Sequence, residues 1–161
     1  MLNRVKKLIL GTQMEVFARR IYIRFDPSQG GRYDREALSI MRRYRNRNSN
    51  CIDIGAHRGS ILREILALSP RGVHYAFEPV LKNYQYLVKT FPNVKVFPLA
   101  LSNVKEKRNF THIISHPTRS GFNTPVEAGE VAETISVDTD LLDHVIPGDR
   151  RDRKSTRLNS S

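Results

Sequence analysis

From Cys51 onward the chain changes its hydrophobic period. Cys51-Ile52-Asp53-Ile54 is a short apolar run, and Ser60 to Leu68 then repeats at helical spacing with Ile61, Ile65 and Leu68 on one face. Val73 to Phe77 is apolar again. Leu81 to Phe91 returns to helical spacing, with Tyr84, Leu87 and Val88 turned inward, and Val94 to Leu101 supplies a third apolar run. The breakers "SPRG" and "PN" close the two helices. The order β-α-β-α-β predicts an α/β fold, Rossmann-like, with a doubly wound and mostly parallel sheet and right-handed crossovers. Pro98 lacks a ladder donor and weakens the later half of the third strand. Arg108–Ser115 and Glu133–Val137 read as added strands, Asp140–Val145 as a short helix, and His116–Glu130 as a loop.

The stretch "CIDIGAHRGS" ends the first strand and opens the first helix of this unit. Ligands of open parallel sheets bind beyond the carboxyl ends of the strands, so this turn is the candidate site. Gly55 lets the chain turn, and Gly59 permits close approach of backbone to ligand or of helix to strand. The helix N-terminus offers N–H groups to a carboxylate. A dinucleotide fits that much, but the nicotinamide fingerprint needs a middle glycine where His57 stands. A carboxylate at Asp53 repels a pyrophosphate and favours a ligand carrying positive charge. Glu78 ends the second strand, 25 residues after Asp53 in "YAFEP", where an acid accepts hydrogen bonds from both ribose hydroxyls. Amine, carboxylate, sulfonium and ribose together describe S-adenosylmethionine. The plainer alternatives are a turn or cap residue at Asp53 and a surface loop acid at Glu78.

On these residues the chain resembles the FkbM family of S-adenosylmethionine-dependent methyltransferases. The likeness covers about residues 50–150 and rests on "IDIGAHRGS", "YAFEPVLKNYQYL", "FPNVKVFPLALSN", "THIISHPTRSGFN" and "ISVDTDLLDHVI" in that order. It implies a class I, Rossmann-like methyltransferase that modifies a hydroxyl oxygen. On that resemblance Asp53 and the turn Gly55, Ala56, His57 and Gly59 hold the methionine part of the cofactor. Glu78 holds the ribose, and Ala100, Leu101 and Ser102 lie beside the adenine. The family usually has Asn at the position of His57. It also continues past the "VDTDLLDHVI" region into a fourth strand with an acidic D-x-E-G segment, which this sequence lacks.

Methyl transfer is a displacement at carbon that requires alignment and a place for the acceptor's proton. His57, His112 and His116 are candidate bases only as histidines, each expected on a loop or at the surface, and no catalytic base is named. "PTRSGF", Pro117 to Phe122, is a polar loop that could border the acceptor. No metal-ligand spacing, G-x-S-x-G or P-loop is present. The expected acceptor is a hydroxyl on a small molecule or glycan.

The 161 residues carry a net charge of +11, unevenly placed. Residues 1–50 hold 12 Lys and Arg against 4 Asp and Glu, whereas residues 51–151 hold 12 against 11. Residues 1–49 therefore read as a basic helical extension. Leu2, Val5, Leu8, Ile9 and Gln13 share one side of an amphipathic helix over 2–24, continued by Val16, Phe17, Ile21 and Tyr22. Asp26 to Asp34 reads as a loop, and Asp34 as the cap of a second helix bearing Ala37, Leu38, Ile40, Met41 and Tyr44. A basic arm admits a nucleic-acid substrate, anionic lipid or an acidic partner. Against nucleic acid, the arm lacks clear aromatic interleaving and the motif-bearing part is near neutral. A non-catalytic nucleotide-binding module is the rival from another class.

With one cysteine, Cys51, no intramolecular disulfide forms, and that thiol reads as a small core residue. No apolar run reaches the roughly 20 residues of a membrane span, so the expected location is cytoplasmic. Oligomeric state is not legible. "DRKSTRLNSS", Asp152 to Ser161, matches the translation of a common sequencing adapter, with a natural polar tail as the alternative. The expectation is a methyltransferase domain cut after about three core strands plus added strands, spanning 50–151. Such a chain is expected to be inactive alone, with an exposed edge on its first strand.

Overall fold

The computed structural model describes residues 29–44 and 46–146. The amphipathic segment 2–24 and the tail Asp152–Ser161 lie outside the described residues. Helix α1 spans Gln29–Tyr44, β1 Cys51–Ile54, α2 Ser60–Leu68, β2 His74–Phe77, α3 Leu81–Thr90 and β3 Lys95–Phe97. Strand β4 spans Leu99–Leu101, β5 Glu106–Ile113 and β6 Ala132–Asp140, followed by the single turn α4, Leu142–Val145. The β-α-β-α-β order read from the sequence is therefore present, and β1-β2-β3 form a parallel sheet with β2 in the middle.

The third strand departs from its expected form. Residues 94–101 do not make one strand: β3 pairs with β2, and β4 pairs parallel with β6 in a second sheet of order β4-β6-β5. Pro98 sits at the break, where its missing N–H would interrupt any continuous ladder. In that second sheet β5 and β6 run antiparallel over eight register pairs; β5 begins two residues before the expected Arg108–Ser115 strand, and β6 extends beyond the expected Glu133–Val137 at both ends.

Helix α1 also differs. It begins at Gln29 and runs through Gly30 and Gly31, so Asp34 lies inside it and is no cap. Each glycine costs about 1 kcal/mol, but extending an existing helix adds a hydrogen bond for every residue fixed. Leu38 is buried, whereas Ile40 and Tyr44 stay exposed. Arg42 Nη2 lies 3.6 Å from Glu64 Oε2 and ties α1 to α2.

One face of the parallel sheet is covered by α2 and α3. Ala56, Leu62, Ala76, Leu87, Phe91 and Val94 form its core, with Leu66 and Val96 against them. Leu62 and Phe91 take inward places that the sequence reading gave to Leu68 and Val88, and Val88 is exposed. On the other face Phe77 and Phe97 stack at 5.2 Å, while Ile52 and Ile54 of β1 are exposed. Among the described residues β1 pairs with β2 alone, so its outer edge is open. Burial pushes the half-buried Cys51 thiol above its ordinary pKa, which keeps it protonated and unreactive. No helix among the described residues is long and apolar enough to cross a membrane.

Candidate functional site

The turn after β1 is built from three left-handed residues in five. Gly55 has φ +75°, His57 +47° and Gly59 +71°. A side chain is strained in this region, and Asn, Asp and His are the types that tolerate it. That gives a physical reason for a histidine where asparagine would also serve. The two glycines differ in purpose. A Cβ on Gly55 would meet nothing within 4 Å, so its backbone angle is what requires glycine, and the bare Cα faces open space. A Cβ on Gly59 would collide with Phe91 Cε2 and lie 3.0 Å from Leu87 Cδ2. Gly59 therefore lets α2 start hard against the end of α3, a contact within the protein and not with a ligand.

Backbone bonds lock the turn to the next strand. Phe77 O accepts from the N–H of Gly55 at 2.9 Å and of Ala56 at 3.1 Å. Glu78 completes the lock. Its Oε2 accepts from the His57 N–H at 2.7 Å, and its Oε1 from the Val80 N–H at 2.9 Å, with Asn83 Nδ2 at 3.5 Å. At 4% exposure Glu78 is no surface loop acid. A carboxylate offers about four acceptor directions, so capacity remains for a further donor.

These residues border a cleft of about 450 Å³ at the carboxyl ends of β1 and β2, within the roughly 300–1,000 Å³ of small-molecule sites. Asp53, Gly55, Ala56, His57, Glu78, Ala100 and Leu101 all line it. Two residues assigned from sequence do not. Gly59 is buried beneath α3, and Ser102 turns to the second sheet, where its N–H donates to Asp140 O at 3.0 Å. The lining holds the two acids Asp53 and Glu78 and, among the described residues, no Lys or Arg. The cleft is thus acidic in a chain whose net charge is +11.

Strand β5 and the loop after it also contribute to the lining, through Phe110, His112, Pro117, Thr118 and Ser120. His112 lies within strand β5, not on a loop, and its Nδ1 is 3.0 Å from Glu133 Oε1 across the β5–β6 ladder. His116 is excluded from the cleft; it is exposed and turned to Glu130, 3.4 Å away. Arg119 pins this loop: Nη1 reaches the buried Glu130 Oε1 at 2.6 Å and Nη2 reaches Glu127 Oε1 at 2.8 Å. Ser120 Oγ accepts from the Ile113 N–H at 2.9 Å, which fastens the wall to its strand. Phe110 and His112 were reachable from the sequence, because alternate residues of a strand share a face. No described group of three or more His, Cys, Asp or Glu is placed to hold a metal ion.

No family model and no curated protein sequence matches this chain. Among solved structures it is similar to methyltransferase FkbM from Methylobacillus flagellatus KT, at 14% identity and a TM-score of 0.39. The similarity covers 62% of this chain, which spans 23% of that chain's length. A likeness of that extent carries no weight for function, so the reading of the cleft rests on its own residues.

Proposed function

We propose that this chain carries the cofactor cleft of an S-adenosylmethionine-dependent methyltransferase acting on a hydroxyl of a small molecule or glycan. The observation that supports the reading most is the meeting of Asp53, Glu78 and the bare Gly55 turn in one acidic cleft at the ends of adjacent parallel strands. The cleft's donor set suits the cofactor. Asp53 complements the cationic amino-acid end. Glu78, already held by two backbone N–H groups and Asn83 Nδ2, keeps room for one further donor, which a ribose hydroxyl would supply. Ala100 and Leu101 give an apolar flank to a base. The start of α2, which no side chain caps, borders the same space through Ser60 and Ile61 and suits the cofactor's carboxylate.

When bound, the cofactor supplies a methyl carbon activated by its sulfonium. The protein's part is placement. Gly55, Ala56 and His57 would hold one end of the cofactor and Glu78 the sugar, while Phe110, Thr118 and Ser120 leave a partly polar wall for the acceptor. Among the described residues the lining offers no Lys or Arg to a phosphate backbone, which favours a neutral acceptor over nucleic acid.

Calorimetry with S-adenosylhomocysteine tests the reading. Glu78→Gln and Asp53→Asn should each weaken binding by about 1.5–3 kcal/mol, roughly ten- to 150-fold, the scale of a hydrogen bond to a charged group. Affinity unchanged in both variants rules it out.

A further inference from the structure

His112 occupies an unusual place for a histidine on a long antiparallel strand. It is the one histidine besides His57 on the cleft lining, and it is carried by β5 of the second sheet, whereas the Gly55 turn follows β1 of the first. Its side chain is only 15% exposed, whereas its partner Glu133 is 53% exposed at the protein surface. The pair is a directly opposed register pair, so the backbone ladder itself sets the 3.0 Å separation of Nδ1 and Oε1. An ionised carboxylate only accepts hydrogen bonds, so this contact places the proton of a neutral ring on Nδ1. The lone pair is then left on Nε2, which makes no hydrogen bond among the described residues.

We propose that His112 is the general base for the acceptor hydroxyl, with Glu133 as the residue that positions it. The assignment rests on the methyltransferase reading of the cleft. His112 Nε2 takes the hydroxyl proton as that oxygen bonds the methyl carbon and sulfur keeps the electron pair of the broken bond. The resulting imidazolium is held through Nδ1–H against Glu133, whose exposed position connects it to solvent for loss of the proton. The charged groups that share the cleft lining with it, Asp53 and Glu78, also favour a transient positive charge. His116, paired with Glu130 outside the cleft, is not a substitute.

The test needs no acceptor. In the full chain labelled with ¹⁵N-histidine, two-bond ¹H–¹⁵N spectra report the tautomer of each ring. His112 should carry its proton on Nδ1, and Glu133→Leu should shift it toward Nε2–H, whereas Glu133→Gln, which keeps an acceptor, should preserve it. Carbethoxylation by diethyl pyrocarbonate, read by peptide mass, should modify His112, and Glu133→Leu should slow it by roughly tenfold, the scale of one charge-assisted hydrogen bond. A wild-type ring protonated on Nε2, or a modification rate that Glu133→Leu leaves unchanged, overturns the assignment. S-adenosylhomocysteine binding on the same samples separates the two failures. If the nucleoside binds while His112 fails either criterion, the base assignment falls alone. If His112 behaves as expected and no nucleoside binds, the methyl-transfer reading falls and the proposed base role falls with it.

Discussion

Substituting alanine at Gly59 and at Gly55 separates two costs that the turn after β1 combines. Both residues are left-handed, at φ +71° and +75°. A Cβ in that region costs about 1–2 kcal/mol, partly offset by about 0.4–1 kcal/mol of lost freedom in the unfolded chain. At Gly55 nothing lies within 4 Å of the new methyl, so no packing cost is added and Gly55→Ala should lose about 0–1.6 kcal/mol. At Gly59 the methyl also falls on Phe91 Cε2, 2.8 Å from Cζ and 3.0 Å from Leu87 Cδ2. Those two side chains are buried at 7% and 0% exposure, so the ring has nowhere vacant to move. Overpacking of this kind costs about 1–3 kcal/mol, and Gly59→Ala should exceed Gly55→Ala by that amount. Urea unfolding followed by circular dichroism measures both. Phe91→Leu removes the colliding ring atoms, so a double-mutant cycle with Gly59→Ala should return at least about 1 kcal/mol of coupling. Equal losses at the two glycines, or a cycle without coupling, would refute the packing role of Gly59.

Further expectations concern the second sheet, the loop and the open edge. Lys105 Nζ, 3.0 Å from Asp140 Oδ2, is the main cause that holds this carboxyl below its ordinary range, with the Leu141 N–H and His144 adding and desolvation opposing. A depressed carboxylate stabilises the fold above its unfolded pKa of about 3.9, and that contribution is lost as pH falls through the lower folded value. Lys105→Met should therefore lower the urea midpoint at pH 6 and match wild type in strong acid; a gap that persists below pH 2 contradicts this. Arg119→Ala leaves the buried Glu130 short of a donor and should cost about 1–3 kcal/mol, with faster amide exchange over 116–121 than in wild type; unaltered exchange there would mean that Arg119 does not pin the wall. Ile54→Lys at the open edge of β1 should reduce self-association measured by light scattering, since charge on an edge strand opposes pairing with another chain.

The parallel β1-β2-β3 unit was legible because its strands and helices differ in hydrophobic period, and because the turn chemistry of "DIGAHRG" marks a strand-to-helix junction. Pro98 announced a weakness, but only the register shows that the chain changes sheets there. The helix through Gly30 and Gly31 was hidden because local propensity reports each residue's cost and not the cooperative gain of extending a helix. Phe91 was hidden for a related reason: its place is set by the missing side chain of Gly59, 32 positions earlier in the sequence. At the site, Asp53, Glu78 and Gly55 could be read because strand ends locate clefts in parallel sheets. Glu78's bond to the His57 N–H could not, since it joins residues 21 apart through a tertiary contact. His112 was undervalued because its chemistry depends on Glu133, which only the β5–β6 register brings opposite it.

Amide spectra of the protein titrated with S-adenosylhomocysteine show most directly whether the cleft is shaped for a sulfonium nucleoside. Saturable shifts are expected, confined to Asp53–His57, Glu78–Val80 and Ala100–Leu101, with the His57 N–H, already bonded to Glu78 at 2.7 Å, among the largest. No saturable shift, or shifts centred away from the ends of β1 and β2, would contradict that shape.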